Sequence, residues 1–321
     1  MDVTSVDEVL LCADPRRWRP GDSWLAGGTV TFSYGTDITR GAPTRLLDIT
    51  GAGWPPLVWH HEDDGTVSLE IAATCRIAEL RALAVEAEPG GMPRSSLPGL
   101  DLIAPACDAF VASWKIWNVS TVGGNVATAL PAGPMISLLS GWDAVALVRR
   151  RDGSLRRTPV AELILGPART RLGDGELIRG FHVPAASLRE RPAFRRISLT
   201  ERGRSAALLI GRRISDTALR LTVTASTVHP VVLDVMSEPH ARGGTRTVRA
   251  DGSAWRVAID RAVSRTGGWY DDIHGSPAWR RAMTHRLGDE ILAELLPGIA
   301  TGVDAARGRT TGDLRMERST R

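Results

Sequence analysis

The stretch "KIWNVSTVGGNVATALPAGP", residues 115–134, places two adjacent glycines between short polar residues in a run otherwise fit for strand or helix. Gly123 and Gly124 carry no Cβ, so they can take positive φ and let another group approach the backbone closely. Thr121 and Asn125 flank them, and Thr128 follows at helical spacing. This is the composition of an anion or cofactor cradle, in which backbone N–H groups point at a negatively charged ligand. A plain tight turn is the competing reading.

A second glycine loop lies upstream in "GDSWLAGGTVTF", residues 21–32, where Gly27-Gly28-Thr29 leads into a β-prone stretch. The preceding "SVDEVLLCADP" reads as a short amphipathic helix, with Val6, Val9, Leu10 and Ala13 on one face. The expected order is helix, short strand, glycine turn. A dinucleotide-binding Rossmann unit requires G-x-G-x-x-G between a strand and a long helix. That pattern is missing, and the residues after the turn do not read as helical, so the Rossmann reading fails.

The rest of the chain bounds the function. Its 321 residues can bury a sizeable core and suggest two or three domains. The net charge of +4 is modest, and no basic run is interleaved with aromatics, which argues against a nucleic-acid partner. Cys12, Cys75 and Cys107 are far apart and form no C-x-x-C pair, so neither an iron–sulfur cluster nor a structural zinc is expected in this chain. No signal peptide and no membrane-spanning run is read, and the expected location is cytoplasmic.

Between the loops, "TRLLDITG" reads as a strand ending in a turn. "TVSLEIAATCRIAELRAL" reads as a strand running into a helix entered at Thr74 and covering Ile77 to Leu83. Residues 84–99 read as a loop. "LDLIAPACDAFVASWKIWN" reads as one helix with Leu102, Ile103, Ala106, Phe110 and Trp114 on its apolar face. Beyond residue 134, a helix passes into a strand, and "RRDGSLRR" is a hairpin with Asp-Gly at its tip. From about residue 192, strands alternate through "FRRISLTERGRSAALLIGRRI" and "LRLTVTASTVHPVVL". "AWRVAIDRAVS" is a further strand or a short helix. The closing helix is capped by Ser276, with Pro277 in its first turn and Trp279, Met283, Leu287, Ile291 and Leu295 at helical spacing. Residues 299–321 read as a flexible tail.

These residues carry a resemblance. "AGGT", followed about ninety residues later by N-x-x-T-x-G-G-N-x-A-x-A-x-P, resembles the flavin-binding medium subunit of the molybdenum hydroxylases, the xanthine dehydrogenase and carbon monoxide dehydrogenase type. "LLDIT", "LEIAATCRIAEL", "GELIRGFHVP", "AFRRISL" and "DIHGSPAWRRAM" support it in the expected order, over roughly residues 3 to 296. The resemblance implies an α+β fold: two subdomains binding an extended FAD over residues 1–188, then a smaller α+β domain, an antiparallel sheet with helices, over 189–298. It implies that Leu25, Ala26, Gly27, Gly28, Thr29, Val30 and Thr31 form the first cofactor loop. Ser120, Thr121, Gly123, Gly124, Asn125 and Thr128 would form the second, Ile178 would pack near the flavin, and Arg196 stands where the family often has lysine. It further implies partners: a molybdopterin-binding large subunit and an iron–sulfur small subunit feeding electrons to FAD here. From FAD they would pass to NAD, a quinone or oxygen.

The chain departs from the family pattern at three places. Ser120 replaces a glycine, Val30 follows Thr29 where aspartate is common, and "ALPAGP" places Leu130 and Pro134 at the serine and acid positions of A-S-P-A-A-D. Loss of that carboxylate leaves open a non-catalytic scaffold that has lost FAD. A stand-alone FAD oxidoreductase is the other alternative.

Other residues read more blandly. His60-His61-Glu62-Asp63-Asp64 is read as a solvated loop rather than a metal site, because adjacent side chains on an extended chain diverge. Ser205 lacks the G-x-S-x-G elbow, and Glu176 has no partner for acid–base work. No catalytic side chain is therefore assigned. Trp24, Trp114 and Trp142 are read as core, whereas Trp117, beside the glycine loop, is a candidate for contact with a flavin or adenine ring.

Overall fold

A computed structural model of the chain describes residues 4–236, 247–249 and 254–296; the expected tail, 299–321, lies outside them. The N-terminal part holds β1 (Glu8–Leu11), β2 (Asp22–Leu25), a single helical turn α1 (Thr31–Tyr34) and β3 (Arg45–Asp48). The three strands form a parallel sheet in the order β1-β3-β2. Arg45 and Asp22 face each other across β2 and β3 as a buried pair, Nη2 to Oδ2 at 2.6 Å.

Two expectations are corrected here. The segment read as an amphipathic helix is strand β1. Asp14-Pro15 leaves room for too few turns to hold a helix by itself, whereas parallel pairing with β3 satisfies its backbone, extended by Asp7 N–H to Thr44 O and Cys12 N–H to Asp48 O. And the chain after the first glycine turn is helical for one turn, at Thr31–Tyr34, with Phe32 N–H donating to Gly28 O.

The middle part runs β4 (Leu57–His61), β5 (Val67–Ala72), α2 (Ile77–Leu83), α3 (Ile103–Asp108), α4 (Trp114–Trp117), α5 (Val122–Thr128), α6 (Pro134–Gly141), β6 (Val145–Arg149), β7 (Leu155–Pro159), α7 (Val160–Leu163), the short pair β8 (Ile164–Gly166) and β9 (Arg169–Thr170), and β10 (Leu177–Val183). Its five-stranded antiparallel sheet has the order β4-β5-β10-β6-β7. Leu69 and Ile71 of β5, Phe181 of β10 and Val148 of β6 share one core with Leu80, Ile103, Val126 and Leu138 of the helices. Helix α2 has the expected bounds, but its N-cap is Arg76 rather than Thr74, and Glu79 folds back to accept from the Arg76 N–H. Residues 84–99, read as a loop, contain short 3-10 turns.

The single helix expected over 100–118 is broken. A 3-10 turn (Pro98–Leu102) runs into α3, the chain leaves helical form at Ala109–Ser113, and Ser113 caps α4. Leu102, Ile103 and Ala106 are buried as expected, but Trp114 is 67% exposed and is no core residue.

The C-terminal part holds α8 (Ala185–Arg189), β11 (Arg191–Ile197), β12 (Ala207–Ser215), β13 (Ala218–Thr224), β14 (Val231–Met236), β15 (Thr247–Arg249), α9 (Ala254–Ser264) and α10 (Pro277–Leu295). The sheet order is β11-β12-β13-β14-β15, antiparallel except for the last pair. One face buries Leu209, Leu221 and Val223 against Trp255 and Ile259 of α9 and Leu287, Ile291 and Leu295 of α10. The segment left open between strand and helix is therefore helix α9. Leu208, Ile210 and Ala225 of this sheet region enter the middle core instead. The two parts are also locked by Arg212, a buried cation whose guanidinium reaches Gly141 O, Asp143, Glu190 and the Ser187 hydroxyl. Among the described residues no helix is long and apolar enough to cross a membrane.

Candidate functional site

Strand β2 ends at Leu25, whose carbonyl accepts from Ile49 N–H at 2.9 Å, and the chain then turns through Ala26–Val30. A Cβ on Gly27 would stand 1.9 Å from the Val119 carbonyl oxygen, so the backbones of the two glycine loops touch and only glycine fits. Gly28 takes φ +66°, which turns the chain into α1. Above this contact the Thr29 and Ser120 hydroxyls lie 3.0 Å apart and hydrogen-bond across 91 residues of sequence.

The second loop is built differently. Thr121 caps α5, its hydroxyl accepting from Gly124 N–H at 3.0 Å and its carbonyl from Asn125 N–H at 3.0 Å. Val122 N–H donates to Cys75 O and Gly123 N–H to Ala73 O, stitching the loop to the end of β5. Thr128 returns its hydroxyl to Gly124 O, and Asn125 Oδ1 accepts from Met135 N–H. The glycine pair thus lies in the first turn of a helix, not at positive φ as the sequence suggested. A Cβ at Gly123 would strike Ala73 at 2.5–2.7 Å, so that glycine serves close packing. One at Gly124 would meet only the Thr121 hydroxyl, at 3.0 Å.

Both loops line a cavity of about 790 Å³, within the usual range for a small-molecule or cofactor site. Ala26, Gly27, Gly28, Thr29, Val30 and Thr31 form one wall, and Ser120, Thr121, Gly123, Gly124, Asn125 and Thr128 another. Ile178 of β10 lines it too. Leu25 is buried behind the first loop, and Arg196 stands off the wall, donating from Nε to Ser205 Oγ at 2.7 Å and from Nη2 to Gly203 O. Ser205 itself reaches the cavity but serves as that acceptor, with no nucleophile elbow.

The loops differ in what their backbones have to spare. Among the described residues, nothing accepts a hydrogen bond from the N–H groups of Gly27, Gly28, Thr29, Val30 or Thr31. Five successive donors without a protein partner on a cavity wall are the kind of surplus that can serve an anion. Residues 122–125 have no such surplus. The cationic side chains Arg40, Arg169, Arg204 and Arg280 add to the wall. Arg40 is paired with Asp174 at 2.6 Å, and Arg280 is wholly buried, donating to the carbonyls of Ala206, Ala225 and Gly275 and to Asp272.

Sequence reasoning missed the C-terminal contribution to this wall, in which Arg204, Tyr270, Asp272 and His274 join residues more than a hundred positions upstream. The only local signal is the polar turn in "WYDDIHGS". Burial raises the Tyr270 hydroxyl above its ordinary value.

Glu176 lines the cavity but is not available for proton transfer. Burial works against its charge, yet hydrogen bonds from Arg156 (2.5 Å) and Gly173 N–H (2.9 Å) overcome this and lower its titration. Trp117 turns away from the cavity and donates to Phe110 O at 3.0 Å; its neighbour Ile116 is on the wall instead. Trp24 lies on the wall, its Nε1–H held by Glu176 O, while Trp142 is fully buried as expected. His60 and His61 end β4, with His60 Nε2 3.7 Å from Glu70. Among the described residues no three His, Cys, Asp or Glu side chains are placed to hold a metal.

Comparison with known proteins accords with this geometry. The fold is shared with quinoline 2-oxidoreductase from Pseudomonas putida 86 (16% identity, TM-score 0.66, covering 90% of this chain and 96% of that one). It is shared also with carbon monoxide dehydrogenase from Hydrogenophaga pseudoflava lacking the Mo-pyranopterin moiety (19%, 0.65, 89% and 96%). A reconstituted CO dehydrogenase from Oligotropha carboxidovorans gives 16% identity, a TM-score of 0.62 and the same coverage. No curated protein sequence matches the chain. Residues 3–186 match the family described as the FAD binding domain in molybdopterin dehydrogenase. The match takes in both glycine loops, and this chain belongs to that FAD-binding oxidoreductase family.

Proposed function

We propose that this chain is the FAD-carrying electron-transfer subunit of a molybdenum hydroxylase complex. It would receive electrons from an iron–sulfur subunit that is itself fed by a molybdopterin subunit, and would pass them to a small-molecule acceptor. The observation that carries this reading is the row of unpartnered N–H groups from Gly27 to Thr31 on a cavity wall. It supplies what an FAD diphosphate needs without a lysine. In this reading residues 1–188 make the cofactor domain and 189–298 a second domain whose Arg204 and Tyr270 close the cavity. The apolar side chain of Ile178 would pack against the cofactor, with Leu25 supporting the first loop from behind and Arg196 holding Ser205. When bound, FAD supplies the redox chemistry; the protein orients it and shields it. The three cysteines are buried and free, with the Cys75 and Cys107 thiols pushed up by burial, Cys107 to about 12. They are poorly placed to act as thiolate ligands, so the electrons would come from a partner.

The test is to express the chain alone and with candidate large and small subunits. The expected outcome is a flavin absorption band in the purified chain, FAD released intact by acid, and flavin reduction by an organic substrate only in the complex. Rapid reduction in the isolated chain would favour a stand-alone oxidoreductase. A colourless protein that takes up no FAD would favour a scaffold, a reading that the missing carboxylate at buried Pro134 supports.

A further inference from the structure

The five free N–H groups of residues 27–31 can act together only if that short segment is held in one conformation. Its own hydrogen bonds are few: Phe32 N–H to Gly28 O, Ser33 N–H and Tyr34 N–H to Val30 O, and Ser33 Oγ to Thr29 O at 2.6 Å. These bonds hold the segment to α1 but do not fix α1 against the opposite wall. Among the described residues the loops are tied by the contact of Gly27 with the Val119 carbonyl and by the hydroxyl pair Thr29–Ser120. Ser120 is 4% exposed and is anchored on both sides, its N–H donating to Ile116 O at 2.7 Å and its carbonyl accepting from Ile77 N–H at 3.0 Å. Its side chain is therefore a fixed post, and Thr29, in the middle of the free row, is tied to it.

We propose that Ser120 is a positioning residue: through Thr29 it holds the first loop with its N–H groups already converged, so that an FAD diphosphate meets a preformed cradle. The inference rests on the FAD-binding reading above. It assigns the two loops unequal tasks, the first donating and the second carrying the post. Ser120 touches Thr29 rather than the reacting part of any cofactor, so its effect is felt in affinity. Fixing a binding segment beforehand removes ordering cost from the binding step.

The test is a double-mutant cycle on the flavin-stripped full chain, titrated with FAD by fluorescence quenching, with Ser120→Ala, Thr29→Val and the double variant. One neutral hydrogen bond is worth about three- to tenfold in an equilibrium constant. Each single variant should weaken FAD binding by that factor and the double variant by no more than either single. Thr29→Ser, which keeps the hydroxyl, should restore affinity to within about twofold. A role confined to packing would lower the denaturation midpoint and leave the FAD dissociation constant unmoved. Equal FAD affinity in all variants, or additive losses in the double, would overturn the inference while leaving FAD binding itself standing. Wild-type chain that takes up no FAD would overturn both.

Discussion

The two glycine loops look alike in sequence and do opposite things in the structure. Gly27-Gly28 is followed by Thr29, and Gly123-Gly124 is preceded by Thr121 two residues earlier; both lie on the same cavity. In the second loop the backbone donors of residues 122–125 are spent on Cys75, Ala73 and Thr121, while in the first the donors of residues 27–31 are left over. Composition marks where a backbone can come close to something; hydrogen-bond accounting decides whether that something is the protein or a ligand. In the second pair Gly123 serves close packing at the end of β5 and Gly124 faces the cavity, while the first pair shapes the wall that carries the free donors.

The largest expected effect is at the contact between the loops. Gly27→Val would put side-chain carbon where the Val119 carbonyl oxygen now lies, so the loops must separate. We expect loss of detectable FAD, at least a hundredfold in affinity, and a stability loss of about 1–3 kcal/mol. Flavin content after gel filtration and a urea midpoint measure both. Full flavin content would show that the cradle does not depend on loop contact.

Next in size is a paired comparison within the second loop. Gly124 lines the cavity and a Cβ there would meet only the Thr121 hydroxyl, so Gly124→Val should cost about tenfold or more in FAD affinity with stability changed by less than about 1 kcal/mol, since valine is the better helix former. At Gly123 the space is filled by Ala73. Gly123→Ala should destabilise the fold by about 1–3 kcal/mol while the flavin stoichiometry of the folded fraction stays at one. Isothermal titration and chemical denaturation on both variants separate the two. The reverse pattern would mean that the glycines have exchanged roles.

These two glycines also show how far the sequence could be read. The strands β3, β5 and β6, the helices α2 and α6, and the C-terminal helix with Leu287, Ile291 and Leu295 inward were all legible, because each has its own period and its own stop signal. Strand β1 was not, since four residues carry no period and its form is set by pairing with β3, more than thirty residues on. The break at Ala109–Ser113 was hidden by a helical spacing that continues through it. At the site, the resemblance picked out residues 25–31 together with Ser120, Thr121, Gly123, Gly124, Asn125 and Thr128, and all of these but Leu25 line one cavity. Which of their N–H groups remain free depends on Ala73 and Cys75, and the wall at Arg204, Tyr270 and His274 depends on how the third sheet packs. Such pairings between distant segments leave no local trace.

A smaller effect separates the cradle from the carboxylate beneath it. Glu176 is held ionised by Arg156 and the Gly173 N–H against its burial. A carboxyl depressed below its ordinary value of 4.5 contributes stability that is fully present above that value and is lost as pH falls through the lower folded-state value. Glu176→Gln should therefore lose about 1–3 kcal/mol at neutral pH, with the gap to wild type closing as the solution is acidified below about pH 4. Because the proposed diphosphate site is made of backbone N–H, FAD affinity of the wild type should stay flat between pH 6 and 8. A step in affinity across that range would bring a titrating side chain into the cradle.

The smallest expected effect tests what the second loop lost. Pro134 occupies the first turn of α6, buried on the cavity wall, at the position where the resemblance implies a carboxylate. Proline suits that place in the helix because its missing N–H is not needed there. Aspartate suits it too, since a negative charge in the first turn is favoured by about 0.3–1 kcal/mol through the helix dipole. Pro134→Asp should thus leave the fold standing and offer the cavity an acceptor for a hydroxyl of FAD. One added hydrogen bond is worth about 0.5–1.5 kcal/mol net, and part of it is offset by burying charge near the diphosphate, so a gain of about two- to fivefold in FAD affinity is expected. Retention of flavin through dialysis, compared with wild type, reads it directly. Unchanged or weaker retention would mean that the paired wall of the second loop has been rebuilt around Pro134 and that the free N–H row of the first loop carries the cofactor alone.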